Sequence, residues 1–160
     1  MTTIEVVKAT DLELSDVLEL YGAVDWLAYT KDPDALLAAL RGSSTLVAAR
    51  DGQTLVGLAR VISDGASICY LQDILVLPSH QRRGLGRSLV ERALGEYPKV
   101  RQKVLITDDQ PKQKAFYESL GYTQTEDFRG GSVRAFVRFD PAPKHRALTG
   151  RDRPSTRALR

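Results

Sequence analysis

An apolar run, Ile74-Leu75-Val76-Leu77, leads into Gln81-Arg82-Arg83-Gly84-Leu85-Gly86, and this stretch opens a segment, Arg87 to Leu94, with apolar residues at helical spacing. Strand, glycine-rich turn and helix is therefore the local reading. Glycines at 84 and 86 let backbone come close to a ligand, and the N–H groups at a helix start attract phosphate oxygens. Arg82 and Arg83 add formal positive charge at the same place. A phosphate-bearing ligand is expected to dock here.

Two common glycine motifs are excluded. A dinucleotide fold requires Gly-x-Gly-x-x-Gly, and the third glycine is replaced by Leu89. A Walker loop requires Gly-Lys-Ser/Thr after its spacer, and no stretch of the chain matches. What remains, Gln-x-x-Gly-x-Gly after a strand ending in Val76-Leu77-Pro78, resembles the pyrophosphate arm of the GCN5-related N-acetyltransferases, which holds the diphosphate of acetyl-coenzyme A. The plain alternative, a glycine-rich turn with no ligand, is weighed by its context.

Thr3 to Val7 is a strand candidate, and Thr10 with Glu13 forms a capping-box signal for a helix whose face is Leu14, Val17, Leu18 and Tyr21. Asp32 and Pro33 start a second helix that Gly42 ends. Thr45 to Arg50 and Gln53 to Ile62 are strand-like runs about Asp51-Gly52, and Asp64-Gly65 repeats the turn before Ser67 to Leu77. The helix after the glycine turn stops near Gly95 and Pro98, and Lys103 to Thr107 is the next strand, parallel to its predecessor. Pro111 opens a helix that Gly121 closes, and Tyr122 to Phe128 with Ser132 to Phe139 read as a final hairpin about Gly130-Gly131. The expected order, β-α-α-β-β-β-α-β-α-β-β, is an α/β domain with a mixed sheet of about seven strands and about four helices.

This order is similar to that of the acetyltransferase family over residues 3 to 139. A second stretch, Ala115-Phe116-Tyr117-Glu118-Ser119-Leu120-Gly121-Tyr122, resembles the family's helix carrying Phe-Tyr-x-x-x-Gly-Phe/Tyr. Ser63-Asp64-Gly65 with Asp73 more weakly resembles the small-amine branch that includes plant serotonin N-acetyltransferase-like proteins. The resemblance implies a single-domain fold with splayed central parallel strands, acetyl-coenzyme A as co-substrate, and a homodimer.

The chain of 160 residues suits an acetyltransferase domain over 1–140 followed by a basic tail over 141–160 expected to be disordered. From Pro141 onward the net charge is +5, so the overall +3 leaves −2 for the rest, and nucleic acid is not an expected partner. A single cysteine, Cys69, and no leader or spanning run suggest a protein of the reducing cytoplasm with no membrane association. No metal-ligand cluster occurs in the sequence, and Cys69 has no histidine near it in sequence to make it a nucleophile.

Acetyl transfer from a thioester to an amine requires a neutral nucleophile, a polarised carbonyl and a proton for the departing thiolate. The pyrophosphate is expected on the backbone of Arg83, Gly84, Leu85, Gly86, Arg87 and Ser88, with Arg82, Arg83 or Arg87 adding charge. The resemblance implies that the pantetheine arm pairs with the backbone of Leu75, Val76 and Leu77, where an exposed N–H at a bulged edge stabilises the oxyanion. It also places Tyr117 as the general acid, a phenol with a reference pKa near 10. Strand alternation puts Asp73 on one face with Cys69, Leu71, Leu75 and Leu77, and a carboxylate there would bind an ammonium, accept its proton, or cap a neighbouring loop. Asp64 and Asp25 compete for that role, and Trp26 and Tyr29 are candidates to line an amine pocket. Gln110 stands where many members have asparagine in contact with the cofactor, and Lys112 and Lys114 lie nearby.

The leading expectation is an acetyl-coenzyme A-dependent N-acetyltransferase acting on a small-molecule amine in a ternary complex. The alternatives are a protein N-terminal or lysine acetyltransferase, a non-catalytic coenzyme A-binding module, and a nucleic-acid-associated factor acting through its tail.

Overall fold

The computed structural model describes residues 1–131 and 133–141. The chain divides into two units, Met1–Gly121 and Tyr122–Arg160. The first contains β1 (Thr2–Val7), α1 (Leu14–Ala23), α2 (Leu27–Thr30), α3 (Pro33–Arg41), β2 (Thr45–Asp51), β3 (Thr54–Ser63), β4 (Ile68–Val76), α4 (Leu85–Leu94), β5 (Gln102–Val104) and α5 (Pro111–Glu118). Short 3-10 turns occupy Ala9–Asp11 and Pro78–His80.

Local chemistry sets most of these boundaries. Asp32 Oδ1 accepts the Ala35 N–H at 3.0 Å and Pro33 fills the first turn, which starts α3 as the sequence predicts. The Thr10 cap expected for α1 does not form. Asp11 Oδ2 accepts the Lys8 N–H at 2.8 Å and closes a 3-10 turn first, so α1 begins at Leu14 with Glu13 as N-cap residue. A carboxylate is the stronger acceptor, and it lies one residue beyond Thr10.

The sheet runs in the order β1-β2-β3-β4-β5, antiparallel through β4, with β5 parallel to β4. Gly52, at φ 59°, makes the turn between β2 and β3. Leu89, Val90 and Ala93 of α4 pack on one face with Val47, Val56 and Leu71. Val17, Leu20 and Tyr21 of α1 and Leu36 and Leu40 of α3 cover the other with Leu46, Leu58 and Leu75. Each apolar helix stripe thus has its own side of the sheet, which carries both cores.

A bulge interrupts β4. Arg60 pairs with Asp73 and Val61 with Leu71, which leaves Gln72 as an extra residue. One inserted residue moves every later side chain to the opposite face. Cys69 and Leu71 therefore belong to the α4 core, whereas Leu75 belongs to the α1/α3 core. Strict alternation, which put Asp73 on one face with Cys69 and Leu71, is corrected by this insertion.

Five strands form among the described residues, not about seven, and the helices number five. The pairing of β5 covers only Gln102 to Val104, shorter than the expected Lys103 to Thr107. In the second unit, residues 122–131 and 133–141 contain no strand, so the expected final hairpin is absent there. Apolar alternation does not by itself order a strand, which also needs ladder partners and burial; Phe136 and Phe139 remain 94% and 85% exposed. Ser132 and the basic tail from residue 142 lie outside the described residues. No helix among the described residues is long and apolar enough to cross a membrane.

Candidate active site

The glycine turn forms as a strained connection. Arg82 has φ 59°, unusual for a non-glycine residue, and Gly84 has φ 80° as the N-cap residue of α4. No side chain among the described residues caps this helix, and its first N–H groups lie beside exposed Arg82, Arg83 and Gly84. Ser88 closes the first turn through its N–H to the Gly84 carbonyl at 3.1 Å, with its hydroxyl donating to the same oxygen at 3.3 Å. Leu85 is buried and anchors the turn in the α4 core. A Cβ on Gly84 would meet nothing within 4 Å, so its backbone angle is what requires glycine. One on Gly86 would lie 3.4 Å from the Phe116 ring, an ordinary contact, so α5 packs against the helix start at this position.

Beyond Tyr70, β4 has no partner on its β5 side among the described residues. The Leu77 N–H donates to the Val56 carbonyl at 2.9 Å, which turns the backbone of Leu77 toward β3. Peptide groups alternate along a strand, so Leu75 turns the same way and Val76 turns to the open edge. There the Val76 carbonyl accepts from Gln81 Nε2 at 2.9 Å. Of Leu75, Val76 and Leu77, Val76 is therefore the residue whose backbone can pair with an extended ligand.

Asp73 lies just past the bulge, 2% exposed, in a closed polar cluster. Its Oδ2 accepts from Arg60 Nε at 2.7 Å and from the Tyr21 hydroxyl at 2.8 Å; among the described residues its Oδ1 takes the Tyr29 hydroxyl, at 3.4 Å. Burial, and then the charge of Asp73, pushes the Tyr21 phenol far up, so Tyr21 stays a donor. Tyr29 also accepts from Gln72 Nε2 at 3.4 Å. The rings of Tyr21, Trp26 and Tyr29 form one cluster: Tyr21 and Tyr29 lie 5.1 Å apart, and Trp26 lies 6.1 Å from each. The structure thus joins Asp73, Trp26 and Tyr29. Asp25, at φ 61°, is exposed outside the polar cluster.

Tyr117 is half-buried on α5, with its ring 5.0 Å from that of Phe116. Burial pushes its phenol up, a hydrogen bond with the Thr107 side chain pulls it down, and the charge of Asp73 adds to the rise. Burial likewise pushes the Tyr70 phenol up, and the Ile106 backbone pulls it down. Gln110 is the N-cap residue of α5 without a side-chain cap bond, and Pro111 follows it.

Asp64 and Arg87 are engaged in contacts within the fold. Asp64 Oδ1 accepts the N–H groups of Ala66 (2.9 Å), Ser67 (2.8 Å) and Ile68 (3.2 Å), and Oδ2 accepts the Ser67 hydroxyl. Those bonds hold its carboxyl well below the usual range. The Arg87 guanidinium donates to the Ser119 carbonyl and hydroxyl at the end of α5. Cys69 is buried, with its thiol pushed up by that burial, and His80 pairs with Ser79 and Asp51. Arg60, Tyr21 and Thr107 are contributors that sequence reasoning missed. Arg60 carried a signal, since a lone charge inside the apolar run from Leu55 to Ile62 requires a partner.

Residues 20–136 match the family description "Acetyltransferase (GNAT) domain". A GNAT family acetyltransferase from Streptococcus pneumoniae is 36% identical, with a TM-score of 0.72, over 87% of this chain and all of that one. The chloroplastic GCN5-related N-acetyltransferase 2 of Arabidopsis thaliana is 32% identical over 131 residues, 67% of this chain and 50% of that protein. An N-acetyltransferase of Thermoplasma acidophilum, solved with coenzyme A, shares the fold at a TM-score of 0.61 and 16% identity, over 80% of this chain and 94% of that one. The chain spans about half the length of the curated relatives it matches.

Proposed function

Because the chain belongs to the GNAT acetyltransferase family, we propose that it transfers the acetyl group of acetyl-coenzyme A to the primary amine of a small molecule, by direct attack with both substrates bound. The observation that carries this reading is the open edge of β4, with the uncapped start of α4 at one end and Tyr117 on the helix beside it. Coenzyme A supplies an activated acyl thioester. The backbone N–H groups at the start of α4, from Leu85 to Arg87, hold its pyrophosphate, and Arg82 and Arg83 add charge from exposed positions. Val76 presents its peptide groups to the pantetheine arm once Gln81 gives up its bond to that carbonyl. Gln110, at the start of α5, extends its amide toward the same ligand.

Tyr117 supplies the proton for the departing thiolate. Its raised phenol keeps it protonated throughout the neutral range, as an acid must be before the step, and Thr107 supports the phenolate that results. Asp73 Oδ1 has one long bond, to the Tyr29 hydroxyl, and the ammonium of the substrate, or a water that takes its proton, would reach this buried carboxylate by displacing that hydroxyl. The faces of Trp26 and Tyr29 beside it favour a cation and wall the amine site. This aromatic wall favours a metabolite over a peptide acceptor. Asp64 contributes by fixing the β3–β4 turn.

Thiol release from acetyl-coenzyme A, measured with an aromatic amine, a polyamine, an aminosugar and a peptide, tests this function. Release with a small amine is expected. Release with the peptide alone would move the assignment to protein acetylation, and coenzyme A binding without release to a non-catalytic module.

A further inference from the structure

Helix α5 has no fully buried residue and spans only Pro111–Glu118. Its place is set by Phe116, Tyr117 and Leu120 packed against the α4 core, with Phe116 against Gly86, and by what holds its C-terminal end. That end is held by Arg87. Arg87 Nη1 and Nη2 each lie 3.3 Å from the Ser119 carbonyl oxygen, and Nη2 lies 2.8 Å from Ser119 Oγ, which itself donates to the Phe116 carbonyl at 2.6 Å. A further contact, 3.4 Å from Nη1 to Glu91 Oε1, steadies the guanidinium from its own helix. A forked cation at a helix C-terminus satisfies an orphan carbonyl and opposes the negative end of the dipole.

We propose that Arg87 is a positioning residue that caps α5 and sets Tyr117 against the open edge of β4, its side chain being spent on this contact and not on cofactor phosphate. The proposal rests on the reading of Tyr117 as the general acid. It ties the first turn of α4, where phosphate is to bind, to the helix that delivers the proton. A contact to phosphate would require only charge, which lysine also supplies; the fork on Ser119 requires arginine.

The test compares Arg87→Met, Arg87→Lys and Ser119→Ala in the wild-type and Tyr117→Phe backgrounds, with thermal melting to verify folding. In the wild-type background kcat is expected to fall about fivefold in both Arg87 variants and less in Ser119→Ala, the size of effect that loss of a supporting contact gives. Coenzyme A Kd and its dependence on salt are expected to stay within about twofold of wild type, because no phosphate contact has been removed. In the Tyr117→Phe background the Arg87 substitutions are expected to have no further effect on kcat. Rescue by lysine together with a weaker, less salt-dependent Kd in Arg87→Met would make Arg87 a phosphate ligand and overturn the proposal. Equal losses in both backgrounds would overturn the link to Tyr117. A slow Tyr117→Phe enzyme with an unaffected Arg87→Met defeats this proposal alone, whereas a wild-type rate in Tyr117→Phe defeats the acid assignment and this proposal with it.

Discussion

Arg60 and Asp73 face each other across the β3–β4 bulge, Nε to Oδ2 at 2.7 Å, with side chains 7% and 1% exposed. The pair lies on the sheet face toward α1 and α3, where Tyr21 and Tyr29 complete the cluster. Removal of one partner strands the other's charge in the core. Arg60→Met is therefore expected to cost about 3–5 kcal/mol in urea unfolding, and the double variant Arg60→Met/Asp73→Leu to recover a large part of that loss. Equal losses in the single and double variants would mean that packing, not charge, holds the bulge.

Asp64 predicts a pH dependence of a definite sign. Its carboxyl is held below the usual range by the hydroxyl of Ser67 and the N–H groups of the turn, so it binds its proton less readily folded than unfolded. The stability it contributes is complete above the unfolded value of about 3.9 and is lost as pH falls through the lower folded value. The stability difference between wild type and Asp64→Ala should be largest near neutrality and shrink in acid. Urea midpoints across that range measure it, and a constant difference would contradict the assignment.

Buried phenols set the alkaline side. Tyr21 and Tyr117 are both raised in the folded chain, so folding favours their protonated forms. Stability should fall as pH rises past the ordinary tyrosine value of about 10, where the unfolded chain begins to ionise. Tyr21→Phe should flatten that fall in urea midpoints, at the expense of one hydrogen bond to Asp73.

The two glycines of the turn should respond differently. Gly84→Ala places a side chain at φ 80° and is expected to cost about 1–2 kcal/mol and to weaken coenzyme A binding. Gly86→Ala brings a Cβ into ordinary contact with the Phe116 ring and should cost less. Urea melts and calorimetric titration with coenzyme A check both.

These contrasts mark what the sequence could reveal. Glycine and proline signals are local, and they placed the turn at Gly52, the start of α3 at Pro33, the glycine turn at Gly84 and the start of α5 at Pro111. The bulge at Gln72 was not legible, because no residue type marks an inserted residue and the alternation reads the same until the partner strand is known. The use of Arg87 was equally hidden: its charge suits phosphate, and Ser119 is thirty-two residues away in sequence. The run from Ser132 to Phe139 suggested a strand because pattern reports the capacity to pair, not the presence of a partner.

The most direct test of acetyl transfer with Tyr117 as the acid is thiol release from acetyl-coenzyme A by wild type and Tyr117→Phe across pH, alongside coenzyme A Kd. A fall in kcat of about 10²-fold or more in Tyr117→Phe is expected, with Kd nearly unchanged and the alkaline limb, which in wild type lies above the ordinary phenol value, removed. A wild-type rate and pH profile in Tyr117→Phe would contradict the account.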